Sequence, residues 1–326
     1  MSPLENVRIL DLTNVLAGPF CCHQLAHMGA EVIKVEVPGN GDLARQLGAD
    51  QELNEQNMGV SFLAQNSGKK SITLNLKTKE GKDIFKRMVR DADVVVENFR
   101  PGVMDRLQVG YETLLKENHS LVYCAISGYG QDGPMRDLPA YDQIIQGMSG
   151  VMSITGGEDS APLRVGYPMA DTIGGMTAAF AIASALFNRK GNEGCFLDVS
   201  MLESVISTMG WVVSNYLIAG KSPQPMGNDN FTASPSGTFN TGDGLINIAA
   251  NKQEQFESVC HVVGLQELIE DPRFIKRQDR LEYRQELKEY LEAAMSSQSA
   301  EYWRDKFNEA GACSYTPLTL PTIYSV

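Results

Sequence analysis

The sequence specifies a doubly wound, mostly parallel α/β domain followed by a smaller α+β domain. Two observations carry this. Over the first two hundred residues, short apolar runs alternate with amphipathic stretches long enough for helices, the pattern of parallel strands joined by helical crossovers. Beyond Gly220-Lys-Ser-Pro-Gln-Pro the alternation stops and helical patterns dominate. A chain of 326 residues is long enough for two cores, so the large domain is expected over residues 1–219 and the small one over 220–326.

Residues 7–12 (VRILDL) read as the first strand, 19–30 as a helix and 31–37 (EVIKVEV) as the second strand. The unit repeats as strand 71–76, helix 79–92 and strand 93–96. Further strands are expected at 121–126 and 196–199. An apolar helix starts near Asp171 and runs to Phe187, and 201–219 reads as one long helix. In the second domain, strands 236–240 and 245–249 flank Thr241-Gly-Asp-Gly, and helices follow at 253–263, 280–294 and 300–310.

Composition narrows the function. The 28 basic residues against 40 acidic ones give a net charge of −12, which argues against a nucleic-acid or anionic-membrane partner. The six cysteines are sparse and form no CxxC pair, as in a reduced, cytoplasmic protein. The first residues lack a basic segment followed by an apolar one. The apolar stretch 174–187 is shorter than the roughly 20 residues of a bilayer helix. The expectation is a soluble cytoplasmic protein.

Familiar catalytic motifs are missing. Gly128-Tyr-Gly-Gln-Asp-Gly133 matches GxGxxG after a strand, but Pro134 and Pro139 leave no room for the helix that would receive a pyrophosphate. His23 and His27 are spaced for two metal ligands on a helix, yet Gln24 stands where a zinc protease needs its glutamate. There is no GxSxG elbow and no Walker A sequence. Neither a metal nor a tightly bound cofactor is expected.

One acid stands out by its setting, Asp171 in Gly166-Tyr-Pro-Met-Ala-Asp-Thr-Ile-Gly-Gly175. At the start of an apolar helix its carboxylate would cap backbone N–H groups and stay ionised. Gly174 and Gly175 would leave room for a substrate. On local sequence alone, a plain capping residue is the better reading than a catalytic one.

Longer segments carry more. Arg8-Ile-Leu-Asp-Leu-Thr13, Leu16-Ala-Gly-Pro19 and Gly29-Ala-Glu-Val-Ile-Lys-Val-Glu36 resemble the first βαβ unit of the family III CoA-transferases. Lys69-Lys-Ser-Ile-Thr-Leu-Asn-Leu-Lys77, Glu97-Asn-Phe-Arg-Pro-Gly102 and Ser127-Gly-Tyr-Gly-Gln-Asp-Gly-Pro134 are similar to later blocks of the same family. The resemblance implies a Rossmann-like large domain, an interlocked homodimer and Asp171 as nucleophile. It assigns contacts with CoA or acyl-CoA, bound as substrate, to Leu16 and Ala17, then to Leu74, Asn75, Leu76 and Lys77. Asn98, Phe99, Arg100 and Arg106 follow, with Tyr129 and Gly130 after them. The implied reaction moves CoA from an acyl-CoA to a small carboxylate or dicarboxylate through an aspartyl anhydride and an aspartyl-CoA thioester.

Two other readings share these features: an α-methylacyl-CoA racemase, and a non-catalytic acyl-CoA-binding protein. The racemases carry a histidine where this chain has Tyr141, and a tyrosine is a poor base at neutral pH. The chain also departs from the family in three places. Val37 stands where some relatives have a basic residue. Segment 226–237 lacks the polyglycine loop of the oxalate enzyme. From Cys313 on, the sequence is uncharged and unlike the family's continuation, so a truncated end is expected.

Overall fold

The computed structural model describes residues 2–189 and 193–315. Nine strands occur among them: β1 (Arg8–Asp11), β2 (Glu31–Glu36), β3 (Lys70–Thr73), β4 (Val94–Glu97), β5 (Val122–Ser127), β6 (Cys195–Ser200), β7 (Ser236–Asn240), β8 (Leu245–Ala249) and β9 (Cys313–Tyr315). The helices of the first half are α1 (Ala17–His27), α2 (Gln51–Glu55), α3 (Val60–Asn66), α4 (Lys79–Arg90), α5 (Val103–Arg106), α6 (Tyr111–Leu114), α7 (Asp142–Met148) and α8 (Met169–Asn188). After them come α9 (Met201–Thr208), α10 (Gly210–Ala219), α11 (Gln253–Val263), α12 (Arg277–Glu282), α13 (Arg284–Met295) and α14 (Ala300–Glu309).

Strands β1–β6 form one parallel sheet in the order β3-β2-β1-β4-β5-β6. The inner strands β4 (VVVE) and β5 (VYCAIS) are buried at every residue, which is why they read as continuous apolar runs. Alternate residues serve opposite faces. Ile9, Val94, Val96, Cys124 and Ile126 join α1 and α8 in one core, while Leu10, Val95, Tyr123 and Ala125 join Phe85 and Val89 of α4 in the other. Helices therefore cover both faces, the doubly wound arrangement the sequence predicts.

Met1–Ser153 with Leu163–Pro223 make one compact unit, and Ile154–Pro162 with Gln224–Val326 the other. The boundary thus falls a few residues beyond the expected 219, and 154–162 join the second unit. That unit holds an antiparallel sheet ordered β7-β8-β9 and a core of Phe256, Phe274, Leu287, Leu291 and Phe307.

The structure corrects several boundaries. Segment 201–219 is two helices that part at Met209, and 280–294 is broken at Tyr283. Helices α2 and α3 are additions to the sequence reading. The segment from Cys313 begins with β9, paired with β8, and residues 316–326 lie outside those described. Helix α8 has 20 residues and is long and apolar enough to cross a bilayer, so the shorter apolar stretch read from the sequence understates it. It packs instead against α1, α9, β5 and β6.

A buried ion network fixes the carboxyl end of the sheet. Asp11, last in β1, has no exposed surface and pairs with Lys69 at 2.9 Å. Lys69 also donates to the Pro19 carbonyl at 2.9 Å and to Asn66 Oδ1 at 2.8 Å. Burial alone would raise the Asp11 pKa, but Lys34 and Lys69 hold it below the usual carboxylate range. Lys34 pairs with Asp42 at 2.9 Å and donates to the Thr13 carbonyl at 2.8 Å. Removing one partner from a buried pair leaves an uncompensated charge, at a cost of about 3–5 kcal/mol. Lys69→Met should lose about that much in urea denaturation, whereas Lys70→Met, breaking an exposed and solvent-screened pair with Glu31, should lose far less. Equal losses would refute the structural role given to Lys69.

Candidate active site

The strand order reverses at β1: the chain moves outward to β2 and β3, then returns to β4 on the other side. At such a reversal the loops leaving two neighbouring strands diverge and open a crevice at their carboxyl ends. Asn98 bridges the two loops here. Its Oδ1 accepts the Asn14 N–H at 2.8 Å, and its Nδ2 donates to the Asn14 carbonyl at 2.9 Å. Val15 has φ of 66°, a left-handed conformation unfavourable for a β-branched side chain. Its N–H is held by Asp42 Oδ1 at 2.9 Å.

The crevice is a cavity of about 210 Å³. Leu16, Ala17, Asn98, Phe99 and Asp171 line it, so five of the residues singled out in the sequence come together. Asn14, Val15, Ile126, Ser127, Gly128, Ala140, Tyr141 and Met201 complete the lining. No lysine or arginine is among them. Helix α1 enters at Ala17 with no side-chain cap, and among the described residues no acceptor meets the amides of Ala17 and Gly18. An uncapped helix start of this kind offers hydrogen-bond donors and positive potential to an anionic oxygen.

Asp171 is not the cap. Helix α8 begins at Met169 after Pro168, and Asp171 falls in its first turn. The cap comes from Asp142, whose Oδ1 accepts the amides of Ala170 at 2.8 Å and Asp171 at 3.4 Å. Its Oδ2 accepts from Gln146 Nε2 at 2.7 Å, and Arg164 stands 3.9 Å away. The Asp171 carboxyl makes no hydrogen bond among the described residues. Burial, reinforced by the Asp142 charge, pushes its pKa up to about 7, so the fully ionised group expected of a cap is replaced by one that titrates near neutrality.

The two glycines serve packing rather than access. A Cβ on Gly175 would stand 2.4 Å from the Ala17 carbonyl oxygen, and one on Gly174 would stand 2.8 Å from Met201 Cγ. Their bare backbone admits α1 and α9 against α8.

The remaining sequence candidates follow the carboxyl ends of strands but do not line the cavity. Leu74, Asn75, Leu76 and Lys77 come after β3, and the two leucines pack onto the sheet's core. Arg100 and Arg106 come after β4. Lys77, Arg100 and Arg106 are exposed, and among the described residues none has an acidic partner within ion-pair distance. Tyr129 and Gly130 form the turn after β5, where the Gly130 N–H donates to Ser127 Oγ at 3.0 Å and the Gln131 N–H to Asp198 Oδ2 at 2.8 Å. No helix opens at Gly133, so the GxGxxG match is a turn. His23 and His27 place their Nε2 atoms 3.0 Å apart, and His23 Nδ1 lies 3.2 Å from the Ser67 carbonyl. Among the described residues, no group of three or more His, Cys, Asp or Glu side chains could hold a metal ion.

Residues 4–321 match CoA-transferase family III. The chain is 42% identical over 311 residues to the acetyl-CoA:oxalate CoA-transferase of Acetobacter aceti, covering 95% of this chain and 79% of that enzyme. It is 40% identical to the succinyl-CoA:glutarate CoA-transferase of Mus musculus, over 100% of this chain and 74% of that enzyme. Among solved structures, a CAIB/BAIF family protein from Brucella suis superposes with a TM-score of 0.87 at 33% identity, covering 100% of this chain and 86% of that one. The chain belongs to CoA-transferase family III and is a CoA-transferase.

Proposed function

We propose that the chain moves CoA from an acyl-CoA to a small dicarboxylate, with Asp171 as nucleophile. The supporting observation is Asp171 itself. It is a carboxyl with no hydrogen-bond partner among the described residues, facing a cavity without a lining cation, at the reversal of the sheet. The names of the relatives, which act on oxalate and glutarate, support a dicarboxylate acceptor.

The ionised carboxyl attacks the thioester carbonyl, forming a mixed anhydride and expelling CoA thiolate. The thiolate attacks the aspartyl carbonyl, releases the donor's carboxylate and leaves an aspartyl-CoA thioester. The acceptor carboxylate attacks that thioester, giving a second anhydride and free thiolate. The thiolate then takes the acceptor's acyl group and restores Asp171. One thioester is exchanged for another, so the balance closes without ATP, metal or resident cofactor. The amides of Ala17 and Gly18 suit the oxyanions of these steps. Lys77, Arg100 and Arg106 offer charge to the CoA phosphates.

The working form is read as the interlocked homodimer that the resemblance implies. Helix α10 has no buried residue, and Leu217, Ile218, Phe180 and Phe187 are exposed apolar side chains of the kind a second protomer would cover.

Asp171→Asn should abolish turnover by orders of magnitude, with succinyl-CoA and small dicarboxylates screened by mass spectrometry. Hydroxylamine should intercept acyl or CoA mass on the peptide containing Asp171. Full activity in the variant would overturn the mechanism. For the racemase alternative, 2-methylacyl-CoA should not exchange its α-proton with deuterium, because Tyr141 stands in the histidine's place; rapid exchange without an acceptor would favour the racemase.

The raised pKa gives activity and stability opposite dependences on pH. Turnover should rise with pH as Asp171 ionises, with a midpoint near 7. A buried acid whose pKa is raised on folding stabilises fully below its unfolded value of 3.8, and that contribution is lost as pH rises through about 7. Asp171→Asn should therefore be more stable to unfolding than the wild type at pH 8, by on the order of 2–4 kcal/mol, and the gap should close toward pH 4. A gap independent of pH would show that Asp171 is not buried as described.

A further inference from the structure

Glu97 ends β4 with 5% of its surface exposed, and among the described residues no cation lies within ion-pair distance of it. Burying an unpaired acid is costly, and a neutral amide would fill the same space more cheaply. Its bonds indicate its use. Oε2 accepts the Phe99 N–H at 2.7 Å, a short bond from two residues along the chain, and Oε1 lies 3.4 Å from the Tyr123 hydroxyl. Tyr123 is itself buried and stacked on Phe196. The carboxyl is thus fixed from below by β5 and holds from below the turn that carries Asn98 and Phe99 into the cavity. Asn98 is locked to Asn14, so the Phe99 amide is the next fixed point of this wall.

We propose that Glu97 is a positioning residue for the acyl-CoA substrate, acting through the Phe99 amide on the Asn98–Phe99 wall of the cavity and not on the carboxylate acceptor. The inference rests on the reading that CoA lies against this wall. Losing one buried hydrogen bond that fixes a binding wall is expected to weaken binding about tenfold.

Three variants of the full chain test it, with KM for acyl-CoA and for the acceptor measured separately and CoA affinity measured by calorimetry. Glu97→Ala removes the acceptor, Glu97→Asp withdraws the carboxyl by one methylene, and Glu97→Gln keeps an oxygen in reach of the Phe99 N–H. The Ala and Asp variants should raise the acyl-CoA KM and the CoA Kd about tenfold, leaving the acceptor KM and kcat within about threefold. The Gln variant should restore most of the affinity. If the Ala variant does not fold, the Asp and Gln variants carry the comparison. Equal CoA affinity in the wild type and the Asp variant would overturn this inference alone, as would a rise in both KM values that Gln fails to rescue. Absence of CoA binding by the wild type would overturn it together with the proposed function.

Discussion

The wholly buried carboxylate of Asp11 sets the terms for the crevice at the sheet's reversal. It stands at the end of β1, where the sheet reverses and the loops must separate. A buried acid there needs cations and donors. Lys69 supplies one cation and ties β1 to the Pro19 carbonyl of α1 and to Asn66 of α3. Lys34 supplies another and passes the constraint to Asp42, which holds Val15 in its left-handed conformation. The loop that brings Leu16 and Ala17 to the cavity is thus held by charged groups that do not line the cavity. Such networks hold a loop in one shape where apolar packing would leave it several.

The large-scale features were legible in the sequence because they rest on periodicity. Strands such as β4 and β5, buried on both faces, read as nearly continuous apolar runs, and the amphipathic α4 announces its inward face. Breaks inside helices were not legible. Nothing local to Met209 or Tyr283 forbids a helix; both residues leave helical geometry only as the chain turns within its unit. Strand β9 is three residues long and exists because β8 offers it an edge.

At the site, the sequence singled out Asp171 but misjudged its surroundings. Asp171 has the surroundings of an N-cap, but a capping carboxylate must bend back onto its own helix start. Here that place is taken by Asp142, 29 residues earlier in the chain and on another helix. In the sequence Asp142 is only an acid opening α7. That its oxygen reaches the amides of Ala170 and Asp171 is a property of how α7 and α8 pack. Gly174 and Gly175 mislead for the same reason: small residues mark a close approach without saying whether a ligand or a helix makes it.

The separation of charge follows from these placements. Asp171 and Glu97 lie where burial raises the pKa of each to about 7, and no cation lines the cavity to bring them down. Lys77, Arg100 and Arg106 stand in the loops after β3 and β4, exposed and without acidic partners among the described residues. A cation beside Asp171 would stabilise the ionised carboxylate and make it a poorer nucleophile, whereas cations placed away from the cavity would leave the acid unquenched. Under the proposed reading, phosphates would meet these loop cations away from the carboxyl that reacts. The partial burial that would strengthen Asp171 as the proposed nucleophile is the same burial that lowers stability above neutral pH.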